Sequence, residues 1–276
     1  MKSREKTEAI EIDMLLEAIF RQRGYDFRNY ARASLERRVR SAMNKLNVKH
    51  ISEMIPLFLY NDTFFEIFLK ELSITVTEMF RDPHFFKFLR ENVIPQIMAW
   101  PYLKIWCAGC ATGEEVYSLA ILLKEENLYD RCQIYATDYN SNSIDIAREA
   151  QYPLGKMQVF VENYNNAGGK KTFADYYHAK YGMVHLDSGL GKKIVFSHHN
   201  LVSDGSFGEM NLILCRNVFI YFNQILQNRV FELFDQSLCH GGFLCLGTKE
   251  SMEFSGLKDH YTKISDKETI FKKKYY

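Results

Sequence analysis

The chain has 276 residues, of which 47% are hydrophobic and 25% charged, with only 5 prolines and 15 glycines. This balance is typical of a globular protein with one large or two small domains, and it excludes collagen-like and disordered chains. No apolar run reaches the roughly 18 residues that a membrane-spanning helix needs. The charged start of the chain has no apolar centre of a signal peptide, so we expect a cytoplasmic protein that is not inserted into a membrane.

The formal net charge of +1 conceals a basic N-terminal region. The first 50 residues contain 12 Lys and Arg against 7 Asp and Glu, and most of the excess lies between Arg21 and Lys49. On the helix predicted here, Leu35, Val39 and Ala42 share the apolar face. Basic residues on its other faces therefore predict a basic surface on an otherwise nearly neutral protein.

The first hundred residues follow a helical period. A glycine, Gly24, ends the first apolar stretch, and Asp82 followed by Pro83 predicts a capped helix start. The predicted helices cover residues 12–20, 35–46, 51–59, 63–72 and 83–93.

An alternation of strands and helices begins at Leu103. The strand 103–108 ends in the turn Gly109–Gly113, a helix follows, and a second strand leads to Asp138. This βαβ unit is typical of a nucleotide-type cofactor site, in which the turn and helix bind charged groups and the acid binds ribose hydroxyls. Residues 151–193 interrupt the alternation and predict an inserted subdomain. Further strands are predicted near 194–197, 211–215 and 243–246.

The chemistry of the turn favours a cationic cofactor. The turn has neither the full G-x-G-x-x-G of nicotinamide sites nor the lysine of a P-loop. The helix instead opens with Glu114 and Glu115. Acids are common at a helix N-terminus, where the helix dipole stabilises them, but they would repel a polyphosphate. They suit an amino group or a sulfonium, and S-adenosylmethionine carries both.

The pair Cys107-x-x-Cys110 raises the question of a zinc or redox site. No second cysteine pair or histidine pair follows at metal-binding spacing. We therefore expect buried or loop thiols without disulfides and no metal.

Several motifs together resemble one family, the CheR-type chemotaxis receptor methyltransferases. The likeness runs from about Ile10 to Phe271. It rests on ITVTEMFRDP (74–83), IWCAGCATGEEVYSL (105–119), YATD (135–138), HNL (199–201), LCRNVFIYF (214–222) and GGFLCLGTKE (241–250). The resemblance implies an α/β fold: an N-terminal all-helical domain, a Rossmann-like class I methyltransferase domain and a small inserted β-subdomain. We expect the helical domain and linker in 1–95, the methyltransferase domain in 96–276 and the subdomain in about 155–195.

The resemblance also implies the site. Arg81 and Tyr221 would lie near the transferred methyl group as catalytic residues. Whether Arg81 anchors the cofactor or the substrate, and whether Glu114 shares the role of Glu115, stay open. The implied cofactor residues are Thr75, Thr77, Arg81, Gly109, Glu115, Asp138, Asn200, Leu201, Arg216 and Asn217. Thr75 stands where the family usually has Asn, and Met79 where it often has Phe, and both differences bear on cofactor affinity.

The implied reaction is methylation of glutamate side chains by S-adenosylmethionine, with S-adenosylhomocysteine as product. A glutamate carboxylate is ionised near neutral pH, so no general base is needed.

The implied partner is the cytoplasmic helical region of chemoreceptors or a related signalling protein, and we expect a monomer. Arg37, Arg38 and Lys45 are the predicted substrate-binding residues. One alternative is a regulator that binds cofactor without turnover; a nucleic-acid methyltransferase is disfavoured, because the chain has no Asp/Asn-Pro-Pro-Tyr/Phe element.

Overall fold

The computed structural model describes residues 2–72 and 77–275, with side chains from Glu5 to Leu69 and from Thr77 to Tyr275. The chain divides into two compact units. The first comprises residues up to 74 together with 220–230, and the second comprises 75–219 together with 231–276. Within the described ranges, no helix is both long and apolar enough to cross a membrane.

The first unit is helical. Gly24 lies just after its first helix with φ +75°, and its N–H donates to the Phe20 carbonyl over 2.9 Å, as expected for a helix stop. The helices are α1 (Lys2–Arg23), α2 (Arg32–Leu46), α3 (Met54–Tyr60) and α4 (Asp62–Leu72). Their buried side chains include Ile12, Leu16, Ile19, Leu35, Val39, Met54, Phe58 and Phe68. The helical periods of the sequence are therefore those of a packed core.

Segment 220–230 joins this unit through a backbone contact. Tyr30 and Phe222 form an antiparallel bridge, and their rings meet edge to face with centroids 5.3 Å apart. The Asn223 N–H donates to the Asn29 carbonyl over 2.9 Å. The predicted catalytic residue Tyr221 thus belongs to the helical unit.

The second unit contains two sheets. Its strands are β1 (Leu103–Ala108), β2 (Cys132–Asp138), β3 (Gln151–Pro153), β4 (Tyr177–Lys180), β5 (Met183–Leu186), β6 (Ile194–His198), β7 (Met210–Cys215), β8 (Leu238–Leu246), β9 (Tyr261–Lys263) and β10 (Ile270–Lys273). Its helices are α5 (Pro83–Phe88), α6 (Ile94–Ile97), α7 (Glu114–Glu125), α8 (Ser141–Glu149), α9 (Met157–Asn166) and α10 (Gln224–Ser237), the last of which begins in segment 220–230. A π-helical turn, Leu89–Val93, connects α5 to α6.

The large sheet has seven strands in the order β6-β2-β1-β7-β8-β10-β9. Neighbours from β6 to β8 are parallel, and β10 is antiparallel to both of its neighbours. The strand order reverses between β1 and β7. In open α/β sheets this reversal places a crevice at the carboxyl ends of the strands, where ligands bind.

The division between the units precedes the predicted domain boundary at residue 95. Phe85, Phe86 and Leu89 are buried in the core of the second unit. Helical periodicity does not reveal which core a helix joins, so the sequence alone groups residues 83–93 with the preceding helices.

The interruption at 151–193 contains a small sheet in the order β3-β5-β4, as the resemblance implies. It also contains α9, which was not predicted. Met157, Phe160 and Tyr164 are buried at helical spacing along α9. This apolar stripe was present in the sequence among the many Tyr, Gly and Lys residues of the segment.

The carboxylate of Glu125 ties the insert to α7. Its side chain is fully buried and accepts from Arg90 Nη2 over 2.6 Å, from the Tyr176 hydroxyl over 2.9 Å and from the Tyr164 hydroxyl. Burial acts to raise the pKa of Glu125, but the hydroxyls and the guanidinium outweigh it and the pKa is lowered.

This lowered pKa predicts a pH-dependent stability. Ionised Glu125 stabilises the fold fully above the unfolded-state pKa of about 4.3, and that stabilisation is lost as pH falls through the lower folded-state pKa. We expect Glu125→Gln to reduce the free energy of unfolding at pH 7 by about 3 kcal/mol and to flatten its decline in acid. Urea unfolding from pH 3 to 7 measures both. The exposed Glu91→Gln should leave the curve unchanged, and an equal acid decline in Glu125→Gln would contradict the assignment.

Candidate cofactor and substrate sites

The turn after β1 is shaped by two glycines. Gly109 has φ +75°, and a Cβ there would lie 2.6 Å from Val218 Cγ2. Gly113 has φ +90°, and a Cβ there would lie 2.8 Å from the Cβ of Ala147. Neither position accepts a side chain without displacement. The turn therefore lies in close contact with both the loop after β7 and α8.

Asp138 holds the ends of β1 and β2 together. Its Oδ2 accepts from the Ala111 N–H and its Oδ1 from the Asn140 N–H, each over 2.9 Å. Burial raises the pKa of Asp138, and these N–H donors offset that only in part. Each oxygen keeps a second lone pair. The carboxylate is thus fixed in place and can still accept from hydroxyl groups such as those of a ribose.

The two acids that open α7 point to different partners. Glu114 is fully buried; its Oε1 lies 3.0 Å from Lys156 Nζ, and its Oε2 accepts from the Thr112 hydroxyl over 2.6 Å. Burial raises the pKa of Glu114, against the effects of Thr112 and Lys156. Glu115 instead pairs with Arg216 over 2.7 Å. The structure thereby distinguishes the surroundings of Glu114 from those of Glu115, which the sequence alone could not do.

Arg216 is the buried cation of the site. Its side chain has 0% exposure and lies between two carboxylates, with Nη1 2.7 Å from Glu115 Oε2 and Nη2 2.6 Å from Asp82 Oδ2. The guanidinium also stacks on the Phe85 ring, 3.9 Å from its centroid. Both acids are needed because an unpaired buried guanidinium is costly.

The role predicted for Asp82 is wrong in one respect. Asp82 precedes α5, but its side chain makes no capping hydrogen bond. Its carboxylate turns to Arg216, since a buried charge attracts it more strongly than the backbone N–H groups of a six-residue helix. Pro83 does occupy the first turn of α5, as expected.

The loop that carries Arg81 is held in a strained conformation. Phe80 and Asp82 have φ of 53° and 55°, which residues other than glycine adopt only when their surroundings hold them. The Phe80 N–H donates to Ser118 Oγ over 2.7 Å, and Asn163 Nδ2 donates to the Met79 carbonyl over 3.1 Å. Ser118 and Asn163 were not predicted, because each is far from the loop in sequence.

Two predicted cofactor residues lie in or beside this loop. Thr77 and Arg81 are both half-buried. The Arg81 carbonyl accepts from Arg216 Nη1 over 3.4 Å, which connects the loop to the buried cation. Thr75 lies outside the described residues.

The predicted adenine-side residues follow β6. The His199 N–H donates to the Asp138 carbonyl over 3.1 Å, so the segment is anchored to the end of β2 that carries Asp138. Asn200 Oδ1 accepts from the Val202 N–H over 3.0 Å, and the Asn200 N–H donates to Asp204 Oδ2 over 2.9 Å. Leu201 is buried. The loops that carry Gly109 and Asn200 and the strand end that carries Asp138 therefore lie at the same edge of the sheet.

Comparison with known proteins identifies the arrangement. The family model described as CheR methyltransferase, SAM binding domain, matches residues 75–270, and the one described as CheR methyltransferase, all-alpha domain, matches residues 10–73. The chain belongs to the CheR methyltransferase family. It is therefore an S-adenosylmethionine-dependent methyltransferase of the chemotaxis type, and S-adenosylmethionine is its cofactor.

Relatives span nearly the whole chain. A putative methyltransferase of Pseudomonas putida, Cher3, is 46% identical over 269 residues and covers 98% of both chains. Chemotaxis protein methyltransferase 1 of Pseudomonas aeruginosa is 26% identical over 246 residues, covering 82% of this chain and 85% of that protein. A solved O-methyltransferase family protein of Burkholderia thailandensis is 14% identical with a TM-score of 0.38, over 67% of this chain and 42% of that one.

The predicted substrate surface of this CheR-family chain needs one correction. Arg37 and Lys45 are exposed on α2, but Arg38 is buried, with 6% exposure. Arg38 lies three residues after Leu35 and four before Ala42, so it belongs to the inward stripe of the helix. It is therefore not part of an exposed basic face.

Arg38 stacks on Tyr221 within the helical unit. Its Cζ lies 4.5 Å from the centroid of the Tyr221 ring, a cation–π contact. The Tyr221 carbonyl accepts from the Ala31 N–H over 2.7 Å, which fixes the tyrosine backbone. Arg38 Nε and Nη2 are buried and have no hydrogen-bond partner among the residues that the structure describes.

Much of the remaining basic charge of the first unit is compensated. Ion pairs join Arg21 and Arg28 to Glu17, Arg28 to Asp26, Arg32 to Asp13 and Glu36, Arg40 to Glu8 and Arg23 to Asp62. The basic surface is thus smaller than the count of arginines predicts.

Cys107, in β1, and Cys110, in the turn, are buried free thiols, as expected. Burial raises the pKa of both Cys107 and Cys110 well above that of an ordinary thiol. Their thiolates are therefore disfavoured near neutral pH.

The geometry of Asp138 leads to a prediction. We expect Asp138→Asn to raise the Kd for S-adenosylhomocysteine about tenfold, since an amide offers one acceptor oxygen where the carboxylate offers two. Its NH₂ group would also face a backbone N–H. Isothermal titration calorimetry measures the change, and Asp145→Asn on the exposed face of α8 is the matched control. Unchanged affinity in Asp138→Asn would remove Asp138 from the cofactor site.

Proposed function

We propose that this chain methylates glutamate side-chain carboxylates in the cytoplasmic helical region of chemoreceptors or a related signalling protein. It would act as a monomer in the cytoplasm. The single observation that carries the choice of acceptor is Arg38, a buried guanidinium against an aromatic ring, two of whose nitrogens have no hydrogen-bond partner within the described part of the chain. A guanidinium of this kind suits a carboxylate better than any other methyl acceptor, because the two groups match in charge and geometry.

Residues of the second unit fit the cofactor. Glu115 would hold the amino end of its methionine part beside Arg216, Asp138 its ribose, and Asn200 with Leu201 its adenine. S-adenosylmethionine supplies an electrophilic methyl group on a sulfonium. Two observations support this fit. The carboxylates of Asp138 and Glu115 are held in place by a backbone N–H and by Arg216, respectively, and the turn contains glycines where a side chain would clash.

The chain contributes positioning and exclusion of water rather than a base. A glutamate acceptor is already ionised near neutral pH. Holding the acceptor carboxylate in line with the methyl group supplies a large part of the rate enhancement. The strained loop around Arg81 and the buried ion pairs of Arg216 give the site the rigidity that such alignment needs.

Methyl transfer to receptor membranes tests the proposal. Receptor-containing membranes are incubated with the purified protein and S-adenosylmethionine labelled in its methyl group. We expect labelled receptors that release the label as methanol in alkali, which is characteristic of a glutamate methyl ester. Label that resists alkali would show a different acceptor atom. Cofactor binding without any transfer would favour the alternative, a regulator that docks without turnover.

Two substitutions should separate turnover from cofactor binding. We expect Arg81→Ala and Tyr221→Phe to lower kcat about tenfold while the Kd for S-adenosylhomocysteine changes little, because the family resemblance implies a catalytic role for each residue. Single-turnover transfer and calorimetry measure the two quantities. Full activity of Arg81→Ala would restrict Arg81 to a structural role.

A further inference from the structure

Glu250 is a buried acid that was not among the predicted site residues, and it connects two loops of the site. Glu250 follows β8 and is 5% exposed. Its Oε2 accepts from the Gly247 N–H over 2.6 Å and from the Asn217 N–H over 3.0 Å. The Glu250 N–H returns a hydrogen bond to the Gly247 carbonyl over 3.0 Å. One carboxylate oxygen therefore joins the loop after β7 to the loop after β8.

The contact between these loops is close enough to restrict both sequences. A Cβ on Gly247 would lie 2.8 Å from the Asn217 nitrogen and 2.8 Å from Glu250 Oε2, so only glycine fits. Asn217 has φ 61°, a left-handed conformation that its surroundings must hold. The hydrogen bond from the Asn217 N–H to Glu250 supplies such a restraint.

The restrained residue adjoins the centre of the cofactor site. Asn217 directly follows Arg216, whose guanidinium reaches Glu115 and Asp82. Val218, the next residue, is the one that contacts Gly109 of the turn after β1. The backbone at Asn217 thus helps to set the position of Arg216, which directly follows β7, and how closely the loop approaches the turn.

We propose that Glu250 is a positioning residue for the cofactor site: its carboxylate fixes the Asn217 backbone and, through it, the Arg216–Glu115 pair. The effect is indirect, since Glu250 acts through Asn217. The inference rests on the cofactor site and not on the identity of the methyl acceptor, so it stands or falls separately from glutamate methylation.

Calorimetry with S-adenosylhomocysteine tests this role on the full chain. We expect Glu250→Ala to raise the Kd about tenfold or more, because two backbone N–H groups lose a charged acceptor. Glu250→Gln keeps one oxygen that can accept from both N–H groups and should remain within about threefold of the parent. The matched control is Glu253→Ala in the same loop, whose side chain is 61% exposed and pairs with Lys258; its Kd should not change.

Thermal unfolding of each variant distinguishes positioning from general stability. Recovery of affinity in Glu250→Gln, with the Tm of the alanine variant close to that of the parent, supports the proposal. A folded Glu250→Ala with parental affinity would overturn it, as would losses of affinity that merely follow losses of Tm across the series. If Glu250→Ala does not fold, Glu250→Asp decides, since the shorter acid should weaken binding in a folded protein and parental affinity there would refute the proposal.

Discussion

Replacing Arg216 by methionine is expected to lower the free energy of unfolding by about 3 kcal/mol and to weaken cofactor binding about 100-fold. The Arg216 side chain is fully buried between Glu115 and Asp82, so methionine would leave two carboxylates facing each other without a cation. The side chains of Glu115 and Asp82 are 19% and 27% exposed, so water screens part of the repulsion between them. We therefore expect a loss of unfolding free energy at the low end of the range for breaking a buried ion pair. Urea unfolding and calorimetry with S-adenosylhomocysteine measure the two effects.

Arg148→Met is the matched control for this prediction. Arg148 pairs with Asp145 on the surface of the same unit, with side-chain exposures of 53% and 68%. An exposed pair contributes about 0–1 kcal/mol, so the control should change stability little and cofactor affinity not at all. If Arg216→Met bound S-adenosylhomocysteine as tightly as the parent, the Arg216–Glu115 pair would have no part in the cofactor site.

The fold was predictable where its determinants are local. The strand at 103–108, its glycine turn and the acid at the end of the next strand all lie within one βαβ unit, and the structure places them as expected. Strands β9 and β10 were not predicted, because they are short and depend on long-range pairing: β10 pairs with β8, and β9 pairs with β10.

The site was less predictable because its contacts are long-range. Asp82 looks like a helix cap in sequence, yet its partner Arg216 is 134 residues away. Separations of 38 and 84 residues likewise hide the contacts of Ser118 and Asn163 with the loop around Phe80. The sequence patterns led to predictions of the site residues, but they did not reveal the ion pairs that arrange them.

The burial of Arg38 was also missed, although the sequence contained the information to predict it. Positions 35, 38, 39 and 42 form one helical stripe, and only the charge of Arg38 argued against including it. An arginine in an apolar stripe is itself informative, because burying a guanidinium without a charged partner costs stability.

The substitution Arg38→Met therefore provides the sharpest test of the acceptor site. Methionine has a similar length and can fill the space beside Tyr221, so we expect the fold and the Kd for S-adenosylhomocysteine to be preserved. Receptor methylation should fall about 100-fold, because the acceptor carboxylate would lose its charged partner and its alignment. Steady-state transfer to receptor membranes, with calorimetry and thermal unfolding in parallel, measures these quantities.

The neighbouring residue supplies the control. Arg37→Gln removes the same charge from the same helix, but Arg37 is exposed, and we expect at most a severalfold rise in the KM for receptor that disappears at high salt. A loss of charge alone would affect both variants alike, whereas a carboxylate site at Arg38 predicts a loss of kcat in Arg38→Met that salt does not change. Equal, salt-sensitive effects in the two variants would show that α2 attracts receptors only through its surface charge, and parental activity in Arg38→Met would remove the buried guanidinium from the reaction.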